Sequence, residues 1–250
     1  MQDEVLTEVH DHVLIITINR PAAKNAIDSA VAEGLLAALA RLDANDDLFV
    51  GVLCGAGGAF CSGMDLKAFS GSGIPAGLGQ VFREGSKKPL IAAVEGFALA
   101  GGLELALTCD LIVAARGAKF GIPEARVGLF AAGGGLFRLG RRLPYGVAMQ
   151  MAITAAPITA DEAHHHGLVA QLTEPGATVE AAIGLAEAVA HNAPLAVAAS
   201  KELIRQTSGL TEDESWELQK PHMRTVFRSN DAKEGPRAFA EKRAPAWSGS

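Results

Sequence analysis

The sequence predicts a mixed α/β core followed by an all-helical C-terminal region. Strand-like and helix-like segments alternate from Val5 to about Leu172, whereas helical patterns alone fill the chain from Val179 onward. Hydrophobic residues make up 49% of the 250 positions and charged residues 20%, enough apolar material for a sizeable core. Aromatics are only 5% and alanine and glycine are abundant, so that core depends on close approach of backbones rather than on large rings.

The first element is a β-hairpin, with Val5–Val9 and Val13–Asn19 flanking His10-Asp-His12 and Asn19-Arg-Pro21 ending it. Asp28 or Ser29 can cap a helix that carries Val31, Leu35, Leu39 and Leu42 at helical spacing. Leu48–Cys54 is a compact apolar strand, stopped by Gly55-Ala-Gly-Gly58. Gly71-Ser-Gly-Ile-Pro-Ala-Gly77 has no period and is expected as a mobile surface loop. Strand, helix and strand follow at Leu90–Val94, Gly102–Thr108 and Leu111–Ala115. Helical patterns lie near Ala148–Ile153 and Thr159–His166, with a strand at Leu168–Leu172. The closing helices are expected at Val179–His191, Pro194–Ser208, Thr211–Arg228 and Asp231–Glu241. The division therefore falls into residues 1–190 as core and 191–250 as a helical association region.

The net charge of -6 and the scattered basic residues argue against a nucleic-acid footprint. Arg141–Arg142 and Lys242–Arg243 read as solvated groups, as do His10 and His12 in the hairpin turn. Cys54, Cys61 and Cys109 are too few for a disulfide framework and read as small buried residues in a reducing compartment. Met1-Gln-Asp-Glu4 has neither a basic n-region nor an apolar h-region, and no apolar run is long enough to span a bilayer. The expectation is a cytoplasmic protein that does not enter a membrane.

Two glycine-rich stretches follow strands: Ala59-Phe-Cys-Ser-Gly-Met-Asp65 and Gly96-Phe-Ala-Leu-Ala-Gly-Gly-Leu-Glu104. Free backbone N–H groups at strand-to-helix turns favour negative charge, and two facing turns could form an oxyanion hole. Taken singly, each could equally be a tight structural turn; neither is a phosphate loop or a dinucleotide fingerprint. Glu104 is the odd residue in an apolar helix, either functional or a first-turn capping carboxylate. Glu124 follows a short apolar strand and a proline, and alone reads as a surface partner of Arg126. Two carboxylates near an oxyanion hole would change that, one holding water as base while the other carries a proton to carbon. His164-His-His166 offers a weak metal signal, because adjacent helical residues do not share a face. No Gly-x-Ser-x-Gly elbow surrounds Ser62.

Taken together, the segments resemble the crotonase superfamily, the enoyl-CoA hydratase/isomerase family, over nearly the whole chain. The likeness runs from Asn19-Arg-Pro-Ala-Ala-Lys-Asn-Ala26 through the two glycine-rich stretches, Cys109-Asp-Leu-Ile-Val-Ala, Lys119-Phe-Gly-Ile-Pro-Glu124 and Thr159-Ala-Asp-Glu-Ala163. It ends at Glu234-Gly-Pro-Arg-Ala-Phe-Ala-Glu-Lys-Arg243. The resemblance implies a spiral of ββα units with a C-terminal helical trimerisation region, assembling as a trimer or as a hexamer of two trimers. It implies Glu104 and Glu124 as acid–base residues, and the N–H groups of Ser62 and Gly101 as the oxyanion hole. It also implies coenzyme A contacts from Lys24, Ala59, Ser62, Gly63, Met64, Asp65 and Gly101, with Phe239 and Lys242 reaching the nucleotide of a neighbouring subunit. Asp65 is equally expected as a turn-stabilising carboxylate. The implied reaction adds water to a trans-2-enoyl-CoA, giving a 3-hydroxyacyl-CoA in the degradation of fatty or related acyl groups. It needs no metal or redox cofactor, since coenzyme A belongs to the substrate. Double-bond isomerisation, or acyl-CoA binding without turnover, is the alternative. The chain departs from the family where Phe130-Ala-Ala-Gly-Gly-Gly135 replaces a Pro-Gly-x-Gly-Gly turn, which leaves acyl specificity open.

Overall fold

The computed structural model describes residues 3–250, so Met1 and Gln2 of the N-terminal segment read above lie outside the described residues. Its frame is a six-stranded sheet, built on the expected hairpin of β1 (Val5–His10) and β2 (Val13–Ile18). Helix α1 (Ser29–Ala44) follows, with the Asp28 side chain accepting the Val31 N–H at 3.0 Å. It buries Val31, Leu35, Leu39 and Leu42 on one face, as their spacing requires. The sheet continues through β3 (Val50–Gly55), β4 (Leu90–Val94), β6 (Leu111–Ala115) and β9 (Gln171–Thr173), all parallel from β2 onward. In a smaller sheet β7 (Lys119–Gly121) lies between β5 (Phe97–Leu99), to which it is parallel, and β8 (Ile158–Thr159), to which it is antiparallel.

Helices α2 (Leu66–Ser72), α3 (Leu78–Glu84) and α4 (Gly101–Thr108) lie between β3 and β6, and α5 (Gly135–Arg142), α6 (Tyr145–Thr154) and α7 (Ala160–His165) lie between β7 and β9. Both faces of the parallel sheet are covered. One carries the main core, including Leu14, Ile16, Leu53, Phe60 and Phe120. The other packs Val13, Val50, Val52, Ile91 and Val113 against Ala182 and Ala186 of α8 (Thr178–Ala190). This explains the near-continuous apolar strands, since parallel strands are buried on both sides. Close approach replaces bulk: a Cβ on Gly51 would stand 2.7 Å from both Leu42 Cδ2 and Leu90 Cδ1.

The last helices, α9 (Pro194–Gln206), α10 (Glu212–Arg228) and α11 (Asp231–Ala240), match their expected spans to within two residues. Three expectations are corrected. The segment read as a mobile loop is partly helical: α2 takes Gly71 and Ser72, α3 starts after Gly77, and only residues 73–77 connect them. The strand expected at Leu168–Leu172 shrinks, because the Leu168 and Val169 N–H groups turn back to the Ala163 carbonyl. The arginines are not simply solvated: Arg142 donates to the Cys109 carbonyl at 3.0 Å and Arg243 pairs with Glu234. The three cysteines are free and buried. Among the described residues, no single helix is long and apolar enough to cross a membrane, and no group of three or more His, Cys, Asp or Glu is placed to hold a metal.

Candidate active site

The turn over residues 59–65 is braced by Asn25, fully buried with a left-handed backbone (φ 55°). Its amide donates to the Ala56 and Ala59 carbonyls at 2.8 and 2.7 Å, and its oxygen accepts the Arg20 N–H at 3.0 Å. Most N–H groups of the turn are then spent, that of Gly63 on Cys61 Sγ at 3.3 Å. The Ser62 N–H donates to the Lys24 carbonyl at 3.1 Å and the Asp65 N–H to the Ile27 carbonyl at 2.9 Å. Ser62 is therefore not a free donor, and the expectation that its N–H forms half of an oxyanion hole is corrected. Between them lies the Met64 N–H, with no acceptor among the described residues.

Gly101 opens α4, so its N–H is one of the donors that a helix leaves unspent. Ala100 before it holds φ 51° and ψ -129°, unusual for a residue with a side chain, and its own N–H is tied to the Gly121 carbonyl at 2.9 Å. The free donors are neighbours: a Cβ on Gly101 would stand 3.5 Å from Met64 N, and one on Gly63 would stand 3.0 Å from Gly101 N.

Glu104 sits one turn into α4 and is only 4% exposed. It caps nothing there; Oε1 instead accepts the Gly135 N–H at 2.9 Å across 31 residues of sequence. The glycine run opposite it is required by proximity, because a Cβ on Gly133 would lie 2.8 Å from Oε2 and one on Gly135 would lie 3.1 Å from Oε1. Glu124 lies on the 3-10 turn Pro123–Val127, half-buried and without an ion pair to Arg126, and its Oε2 is buried with no hydrogen-bond partner. Burial raises the proton affinity of both carboxyls above the usual carboxylate range. At Glu104 the Gly135 N–H opposes the shift and the nearby Glu124 charge adds to it.

These directions carry a stability prediction. Each carboxyl binds its proton more tightly folded than unfolded, so its contribution is full below about 4.5 and is lost as pH rises through the folded value. Urea unfolding should show Glu124→Gln gaining stability over the parent at neutral pH, with the gap closing under acid; a gap independent of pH would contradict it.

The other expected residues divide clearly. Asp65 serves the fold: it caps α2 by accepting the Lys67 N–H at 3.0 Å and pairs with Arg20 at 2.9 Å, which holds its carboxyl below the usual range. Lys24 is exposed, with a left-handed backbone and no ion pair among the described residues. Ala59, Ser62 and Met64 are partly exposed and Gly63 is buried. Phe239 is 86% exposed near the end of α11, with Lys242 just beyond it in the helical region. His164 Nδ1 is 2.9 Å from the Val169 carbonyl, and the rings of His165 and His166 meet edge to face.

Two unspent backbone donors stand beside a buried and a half-buried carboxyl whose proton affinities burial raises, an arrangement suited to acid–base chemistry and to holding negative charge on an oxygen. The chain belongs to the enoyl-CoA hydratase/isomerase family, whose description matches residues 8–250. It is 43% identical to the enoyl-CoA hydratase EchA19 of Mycobacterium tuberculosis, over 97% of this chain and 95% of that one. It is 39% identical to the carnitinyl-CoA dehydratase of Proteus mirabilis, over 95% of each. Its fold superposes on the crystal structure of the enoyl-CoA hydratase EchA1 from Mycobacterium marinum with a TM-score of 0.95 and 53% identity over the whole of both chains.

Proposed function

We propose that the chain hydrates trans-2-enoyl-CoA to 3-hydroxyacyl-CoA, and that the buried pair Glu104 and Glu124 beside the free Met64 and Gly101 N–H groups carries the reaction. The thioester oxygen takes hydrogen bonds from those two N–H groups. Glu104, kept more acidic than burial alone would make it by the Gly135 N–H, removes a proton from water as its oxygen bonds to C3. The π electrons move toward the thioester oxygen, where the donors stabilise them, and Glu124 delivers its proton to C2. Water is added, Glu104 is left protonated and Glu124 ionised, and a proton exchange restores both. Because the two carboxyls share one water in this scheme, strict single roles are not assigned to them. Lys24 meets a phosphate of coenzyme A, and the backbone of Ala59 and Ser62–Asp65 borders the pantetheine path. No metal or redox cofactor enters the scheme.

Turnover of crotonyl-CoA, followed by loss of the 2,3-double bond, tests this against a 3-enoyl-CoA of the same length. The 2-enoyl substrate should be favoured. A preference for the 3-enoyl substrate would make the chain an isomerase, and turnover of neither would make it a binding protein.

The same reading divides the chain at residue 190 and gives the helices after it to a trimer, or to a hexamer of two trimers. Support comes from α8, which ends at Ala190 packed on the sheet, and from apolar side chains beyond it that face outward: Phe227 is 76% exposed and Trp216 57%. Sedimentation should show a trimer or hexamer, and truncation near Asn192 should cause aggregation or dissociation; a stable, active monomer would overturn the assignment. The three free, buried thiols fit a reducing, cytoplasmic setting.

A further inference from the structure

A cavity of about 1020 Å³ opens between α3, α5 and α9, and Arg83, Arg138, Arg141, Arg142, Lys201 and Arg205 line it. Six of the chain's 22 lysines and arginines thus surround one hollow in a protein of net charge -6. Asp110 is its one acidic lining residue, already bound by Lys201 at 2.8 Å. Among the described residues, none of the five arginines has a carboxylate within ion-pair distance, although guanidinium groups drawn out of water are ordinarily paired.

Backbone oxygens hold part of the cluster in place. Arg142 donates to the Cys109 carbonyl at 3.0 Å, and Arg205 donates to the Arg83 and Glu84 carbonyls at 2.7 and 2.9 Å. Arg138 donates to the Phe82 carbonyl and, at 3.3 Å, to that of Gly133. A guanidinium has five N–H donors, so these contacts leave others unspent. The side chains of Arg83 and Arg141 are exposed and make no hydrogen bond among the described residues, Arg141 lying over the Phe137 ring at 5.9 Å, so their N–H donors are available to a bound group. Burial lowers the proton affinity of both Arg138 and Arg142; at Arg138 the charges of Arg205 and Arg142 lower it further, partly opposed by Glu104, while at Arg142 Asp110 opposes the shift and Arg205 adds to it. The cavity also adjoins the catalytic carboxylate. Gly133 and Phe82 line it, and a Cβ on Gly133 would stand 2.4 Å from the Phe82 ring and 2.8 Å from Glu104 Oε2.

We propose that this cavity is an anion site for carboxylate or phosphate groups, carried either by a free polyanion or by the distal end of the acyl chain. The second source rests on the hydratase reading; the site itself does not. Calorimetric titration with citrate and with inorganic pyrophosphate, at fixed ionic strength, should show saturable binding of at least one. Arg83→Gln/Arg141→Gln should weaken it about tenfold or more, with thermal unfolding and turnover of crotonyl-CoA unchanged. No saturable binding, or equal binding by the variant, would overturn the proposal. A second arm compares enoyl-CoA substrates of equal length ending in methyl or carboxylate. A carboxylate preference that the double variant loses assigns the anion to the acyl chain; equal kcat/KM assigns it to a free polyanion.

Discussion

Hydration by Glu124→Gln is expected to fall about 10²–10⁴-fold, the usual cost of losing a positioned proton-transfer group. Glutamine keeps the shape and polarity of the side chain, so the half-buried 3-10 turn that presents it has no reason to rearrange. What disappears is a carboxyl whose Oε2 is buried with no hydrogen-bond partner among the described residues. The defect should fall on kcat, with thioester affinity nearly unchanged, because the carboxyl acts on C2 rather than on the nucleotide. Near-normal kcat in the variant would exclude Glu124 from catalysis.

Gly101→Val is expected to lose about 10²–10³-fold, the cost of one well-aimed oxyanion donor. The glycine is not there to relieve crowding. A Cβ would meet Met64 N at 3.5 Å and Phe82 Cζ at 3.6 Å, ordinary contacts that leave the helix start intact. Gly102 next to it is different, since its Cβ would drive into the Cys61 carbonyl at 2.3 Å. The valine should therefore fold, place its methyl groups over the two free N–H groups, and exclude the thioester oxygen. Ser62→Ala is the companion measurement: its N–H is spent on Lys24 and its hydroxyl has no part in the scheme, so most activity should remain. A dead Ser62→Ala, with an acyl group trapped on Ser62 in the parent, would replace the hydration mechanism with a nucleophilic one.

Much of this was readable from the residues. The hairpin, the α1 cap and the strands Leu90–Val94 and Leu111–Ala115 follow from period and punctuation, and the C-terminal helices from their apolar stripes. Helices α2, α3 and α5 escaped notice because glycine interrupts each of them and packing, not propensity, holds them: α5 buries only Gly135 and Leu139. Both candidate glutamates were found in sequence, but local rules alone left Glu104 open between function and a cap and gave Glu124 to Arg126. Only the fold brings Gly135 to Glu104. Met64 was expected only as a coenzyme A contact, and its free N–H was missed. Sequence locates the turn, yet which N–H in it stays free depends on where Lys24 and Ile27 place their carbonyls, and no local pattern encodes that.

Ala100 has one more consequence. A side-chain-bearing residue at φ 51° costs on the order of 1–3 kcal/mol, held there by the surrounding structure. The strain falls at the peptide that delivers the Gly101 N–H, so the direction of that donor is fixed during folding, before any thioester arrives. In the proposed scheme a transition-state oxygen then meets a donor that need not reorient, and the turn acts less as a hinge than as a wound spring whose set point is the donor angle. Part of the catalytic rate would thus be stored in the resting conformation of a single alanine, one residue away from any atom that touches the substrate.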